Sequence, residues 1–258
     1  MSDASSDNRI LLTRSDAIAT ITLNRPSKLN AIDPPMLDQL DDALSALDRD
    51  TDIRVVLIEG AGERAFCVGA DIHAWAALEP LDMWRQWIPH GHRVFNRLAQ
   101  LRQPTIALIH SYAFGGGLEL ALAADLRLGS PDAQCAQPET KLGTIPGWAA
   151  TARLPGLIGR GRAKQMILTG TRVDATTAER WGLLNEIVPM ADLKARAIEI
   201  AREIAANAPI AVQLAKQAID GTSPSIEAIA GALAASTADG REGVAAFRDK
   251  RTPQFEGH

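Results

Sequence analysis

Apolar residues along the chain recur in two rhythms. Ala17–Leu23 (AIATITL) alternates small and β-branched side chains, which predicts a strand ending at Asn24-Arg25-Pro26. Asp33, Pro34 and Pro35 then form a helix start, with the aspartate as cap and proline in the first turn. Leu37, Leu40, Leu44 and Leu47 follow at helical spacing, so this helix is amphipathic. Val55–Glu59 (VVLIE) and Thr105–His110 (TIALIH) are short unbroken apolar runs, the pattern of strands covered on both faces. A helix-like stretch ends near Leu101, ahead of Pro104. From Ala191 onward the chain is Ala-rich and helical in period, and Pro209 and Pro224 predict breaks in it. This section either caps the core of its own chain or makes contacts between subunits. The pattern predicts an α/β protein in three parts: a disordered tail over 1–9, a core over 10–190 and a helical region over 191–258.

Composition narrows the class. The 258 residues are 46% hydrophobic, enough for a sizeable core and too many for a disordered chain. With 27 Lys and Arg against 31 Asp and Glu, the net charge is −4, and no basic stripe is available for nucleic acid. Two cysteines, Cys67 and Cys135, cannot staple a disulfide scaffold. Residues 1–9 are polar and lack the apolar run of a secretory signal, and no stretch reaches the length of a spanning helix. These features predict a cytoplasmic protein without a membrane segment.

Three segments carry candidate chemistry, and one apparent motif does not. Gly60-Ala61-Gly62-Glu63-Arg64-Ala65 matches a dinucleotide fingerprint, yet no helical period follows it, so it is read as a loop. Ser111–Asp125 (SYAFGGGLELALAAD) runs from a strand through three glycines into a helix. Its free N–H groups suit a developing oxyanion, with Glu119 in the first turn. The alternative is that Glu119 only complements the helix dipole. Ala65–Ile72 (AFCVGADI) offers a second bend at Gly69-Ala70, either another oxyanion donor or a plain loop capped by Asp71. Ala136–Gly147 (AQPETKLGTIPG) places Glu139 in a loop. Folded opposite Glu119, it would form a carboxylate pair able to divide acid and base roles. None of His73, His90, His92, His110 and His258 has metal-ligand spacing.

Taken with ITLNRPSKLNAID (21–33) and REGVAAFRDKR (241–251), these segments resemble the enoyl-CoA hydratase/isomerase (crotonase) family over nearly the whole chain. The resemblance implies a spiral of strand–strand–helix units followed by a trimerisation region, in homotrimers or homohexamers. It implies an acyl-CoA thioester substrate, no metal, no separate cofactor, and no nucleic-acid or membrane partner. Ala70 and Gly116 become the oxyanion donors, and Glu119 and Glu139 the catalytic pair. Arg25, Lys28, Asp71, Ile72, His73 and Lys250 become contacts for the CoA thioester. Retention of both glutamates favours hydration over isomerisation, hydrolysis or decarboxylation; outside enzymology, the same fold used as an RNA- or partner-binding scaffold is the competing reading. Trp75, Trp84, Trp87 and Trp148 are acyl-pocket candidates, or else core. The chain departs from the family at Trp148-Ala149-Ala150, where the family usually has a small residue and two glycines. It also lacks the phenylalanine that some relatives carry near Gly231–Ala235.

Overall fold

The computed structural model describes residues 8–221 and 223–258, so most of the expected 1–9 tail lies outside it. The chain begins with β1 (Ile10–Ser15) and β2 (Ile18–Leu23), an antiparallel hairpin, and then α1 (Pro34–Arg49). Three strand pairs follow: β3 (Val55–Gly60) with β4 (Ala65–Cys67), β5 (Thr105–Ile109) with β6 (Tyr112–Phe114), and β7 (Leu126–Gly129) with β8 (Gln134–Ala136). After the first pair come α2 (Ile72–Trp75), α3 (Pro80–Asp82) and α4 (Ile88–Ala99). After the second comes α5 (Gly116–Ala123), and after the third α6 (Ala150–Ile158) and α7 (Arg160–Thr169). The chain then runs through β9 (Val173–Asp174), α8 (Ala175–Trp181) and β10 (Glu186–Ile187). It finishes with α9 (Leu193–Ala205), α10 (Pro209–Asp220), α11 (Pro224–Ser236) and α12 (Ala238–Asp249).

Each pair splits between two sheets. The larger has the order β1-β2-β3-β5-β7-β10, parallel after the first hairpin; the smaller has the order β4-β6-β8-β9. This is the strand–strand–helix spiral the resemblance implied. Alternation in β3 explains its unbroken apolar run. Val56 and Ile58 enter the cluster beneath the helices, while Val55 and Leu57 face the other way and are covered by Leu193, Ala197 and Ala201 of α9. So α9, read at the sequence level as part of the helical appendage, seals the sheet of its own chain. The later helices differ. Ile219, Ile229, Leu233, Val244 and Phe247 of α10–α12 stand exposed.

The NRPSKLNAID loop does structural work. Leu29 and Asn30 adopt left-handed backbone, with φ of 53° and 57°. The buried Asn30 side chain donates to the carbonyls of Ala61, Ala65 and Phe66. Ile32 N–H donates to Gly69 O, and Asp71 N–H to Ile32 O, so the loop is stitched to the bend at Ala70. Arg25 closes the stitch: its Nη2 lies 3.3 Å from Asp33 Oδ2 and 3.2 Å from Asp71 Oδ2, and Nη1 donates to Ala31 O. Arg25, which the resemblance makes a CoA contact, is thus also a structural residue of this loop. Two carboxylates that cap neighbouring helices already hold it.

Arg25→Met should therefore lower stability by about 2–3 kcal/mol, because it leaves two shielded carboxylates short of a partner. Urea unfolding of variant and parent measures this; the Arg9 contact to Asp33 stays in place and limits the loss.

Candidate active site

The ends of the strand pairs converge on one cavity of about 120 Å³. Ala70 and Gly116 line it together with Glu119, Glu139, Trp75, Trp87 and Trp148. The amides of Ala70 and Gly116 are neighbours: a Cβ built on Gly116 would lie 3.3 Å from Ala70 N, and one on Gly69 would lie 3.0 Å from Gly116 N. Gly116 is the first residue of α5, where an N–H has no intrahelical acceptor, and Ala70 lies at the bend after β4. Neither amide donates to a described protein acceptor. Two free donors aimed into one cavity are the parts of an oxyanion hole.

The glycine run before α5 has physical causes. Gly115 has φ of 51° with ψ of −126°, a conformation open to glycine, and a Cβ there would lie 2.9 Å from Glu139 Oε1. A side chain on Gly117 would overlap the carbonyl of Cys67. The glycines let α5 begin against β4 with both carboxylates beside it.

Glu119 is 2% exposed, and its Oε1 accepts from Trp148 N at 2.8 Å and Ala150 N at 2.9 Å. Burial lifts its pKa, opposed by the amides of Ala150, Trp148 and Gly147 and by the Arg153 charge. Glu139 lies in a 3-10 turn, Glu139–Leu142, rather than an irregular loop. Burial pushes its pKa up to about 7; its own backbone N–H opposes the rise and the Glu119 charge adds to it. Buried Gln137, with its amide nitrogen turned to the carboxylate, donates to both Glu139 oxygens at 3.0 Å.

Sequence reasoning missed Gln137 and Arg153. Gln137 follows β8 directly and precedes Glu139 by two residues, with Pro138 turning the chain between them into the 3-10 turn. Arg153 stands in an otherwise apolar helical turn. It donates to Trp148 O, Phe95 O and Asn96 Oδ1, bracing the segment whose amides hold Glu119.

The other expected positions divide. Ile72 is part of the cavity wall, whereas Asp71 caps α2 and pairs with Arg25, and His73 is exposed outside the cavity. Lys28 and Lys250 are exposed, each without an ion-pair partner among the described residues. Trp84 leaves the acyl-pocket set: it is 66% exposed, with the Arg85 guanidinium 5.8 Å from its ring centre. Met83–Trp87 forms a π-helical turn ahead of Pro89, and this wider turn sends Trp84 outward while Trp87 points in.

The family model for enoyl-CoA hydratase/isomerase matches residues 13–258. The chain belongs to the enoyl-CoA hydratase/isomerase family. It is 38% identical to the short-chain-enoyl-CoA hydratase of Clostridium acetobutylicum over 95% of this chain and 96% of that protein. It is 35% identical to the crotonyl-CoA hydratase of Syntrophomonas wolfei over 95% of this chain and 97% of that one. The crystal structure of an enoyl-CoA hydratase from Bacillus anthracis superposes with a TM-score of 0.93 at 39% identity, over 97% of this chain and 100% of its own. Among the described residues no helix is long and apolar enough to cross a membrane.

The Trp148-Ala149-Ala150 turn, where the sequence led us to expect a departure, has an unusual backbone. Ala149 sits at φ of 85°, left-handed backbone that an L-alanine rarely adopts. The turn is held there because it aims the amides of Trp148 and Ala150 at one carboxylate oxygen. Ala149→Gly should relieve the strain and raise stability by about 1 kcal/mol, read from a higher urea midpoint with unchanged m-value.

Proposed function

We propose that the protein hydrates a 2-enoyl-CoA thioester, with Ala70 and Gly116 as oxyanion donors and Glu119 and Glu139 as the acid–base pair. The observation that carries this reading is the pair of carboxylates in one cavity beside two unused amides. The thioester carbonyl oxygen accepts from both N–H groups, which draws electrons toward it and leaves Cβ electrophilic. Glu119, its charge held by two backbone donors, removes a proton from water as the water oxygen bonds to Cβ. The alkene electrons move into the thioester enolate. Glu139, protonated below about 7, gives its proton to Cα, and proton exchange with solvent restores the pair. The reaction calls for no metal and no cofactor beyond the CoA of the substrate.

The exposed Lys28 and Lys250 supply positive charge for CoA phosphates on an acidic protein. Cys67 and Cys135 are free and buried, which suits the reducing cytoplasm. A Δ3,Δ2-isomerase, which the family description includes, is the competing reading, because one carboxylate can shuttle a proton between two carbons.

Loss of the 2-enoyl absorbance on mixing with crotonyl-CoA tests the proposal. Isomerisation of a 3-enoyl-CoA with no hydration of any 2-enoyl-CoA would overturn it. Glu119→Gln and Glu139→Gln should each lower kcat by about 10²–10⁴, with full activity in either variant excluding a working pair. Hydration kcat/KM should fall as pH rises through about 7, where Glu139 loses the proton that Cα needs.

Homotrimers, alone or paired into hexamers, form part of the same proposal, built on the exposed apolar residues of α10–α12. Light scattering should give three or six chains. Phe247→Asp, at a side chain 89% exposed, should weaken that assembly without unfolding the core.

A further inference from the structure

The cavity is closed at one end by a side chain whose place is cut into a neighbouring helix. Its mouth is formed by Ile72, Leu142 and Ile145, exposed by 50%, 55% and 69%. Its inner end is formed by Trp87 and Trp148, exposed by 6% and 3%. A thioester whose carbonyl meets Ala70 and Gly116 must leave its bulky CoA arm at the mouth, so acyl carbons beyond Cβ run toward the two indoles. Trp148 fills that end. Its Cζ3 lies 2.5 Å from where a Gly116 Cβ would be, and its ring packs against Trp87 at 5.3 Å and Phe95 at 5.1 Å between centroids. The indole has room because residue 91, inside α4, is glycine; a Cβ there would overlap the ring. Glycine weakens a helix interior, so its presence at this contact marks the two residues as a matched pair. Rings on both sides keep the indole from swinging aside, and the cavity left is well below the about 300–1,000 Å³ of typical ligand pockets.

We propose that Trp148, seated in the notch at Gly91, sets acyl-chain length and restricts the enzyme to short 2-enoyl groups. This rests on the hydratase reading above. The indole acts through its bulk, and the Trp148 backbone amide, which serves Glu119, is left in place when the side chain is changed.

The test compares the parent, Trp148→Ala, Trp148→Phe, Gly91→Ala and the double variant Gly91→Ala/Trp148→Ala. The parent should prefer crotonyl-CoA to 2-octenoyl-CoA in kcat/KM. Each methylene given an apolar seat is worth about fourfold, so Trp148→Ala should raise the octenoyl-to-crotonyl ratio by between about tenfold and 10². Trp148→Phe, with a smaller ring, should move it part of the way and serves if the alanine variant does not fold. Gly91→Ala should drive the indole into the cavity and cut crotonyl-CoA turnover at least about tenfold, with recovery in the double variant. Calorimetric affinities for butyryl-CoA and octanoyl-CoA, which undergo no hydration, give the same ratio without the chemistry. An affinity shift with no hydration of any enoyl-CoA would overturn the hydratase reading and leave the length limit standing. Hydration with both ratios unchanged in Trp148→Ala and Trp148→Phe would overturn the length limit. So would a parent that already prefers octenoyl chains.

Discussion

A carboxylate removed from water beneath an apolar cavity is the constraint around which the site is arranged. Glu119 loses hydration worth several kcal/mol, and only donors fixed in place replace it. The replacement comes from Trp148 N and Ala150 N on a single oxygen, and it requires the intervening Ala149 to hold left-handed backbone. Arg153 donates to the carbonyl of Trp148, the residue whose own N–H serves Glu119, so the two peptide groups flanking the Trp148 Cα are each held by one hydrogen bond. The second Glu119 oxygen is the one left to meet a substrate or water.

Placing a second carboxylate in the same cavity separates the roles of the two. Burial raises both pKa values; at Glu119 three backbone donors and Arg153 oppose the rise, whereas at Glu139 the Glu119 charge adds to it. Gln137, able to donate to either Glu139 oxygen, orients that group without matching the two backbone donors on its partner. The asymmetry arises from chain geometry. Glu119 is in the first turn of a helix that starts on glycines, whereas Glu139 begins a short turn after Pro138 and stays closer to solvent.

The strands β3 and β5, the Asp33 cap of α1 and the breaks at Pro209 and Pro224 were legible because each follows from local pattern or from the backbone limits of proline. That Ala70, Gly116, Glu119 and Glu139 meet in one cavity was legible through motif order, since periodicity alone left Glu139 a loop residue. What local pattern could not carry was pairing at a distance. Arg25 reads as a surface cation until folding brings Asp33 and Asp71 to it. The helical period of α9 is the same whether its apolar face covers its own sheet or another subunit; only the contact with Val55 and Leu57 decides. Trp84 and Trp87 look equivalent until the π-helical turn separates them.

Trp148 joins these levels. A tryptophan at a turn that holds a buried carboxylate would be costly if its side chain competed with its backbone role. Here they point apart: the amide faces Glu119, and the indole lies between Gly91 and Gly116 against Phe95. The side chain at this position, and the helix residue opposite it, can therefore change while the amides that donate to Glu119 remain where they are. Position 149 has no such freedom beyond alanine and glycine, because the direction of both amides depends on its left-handed backbone.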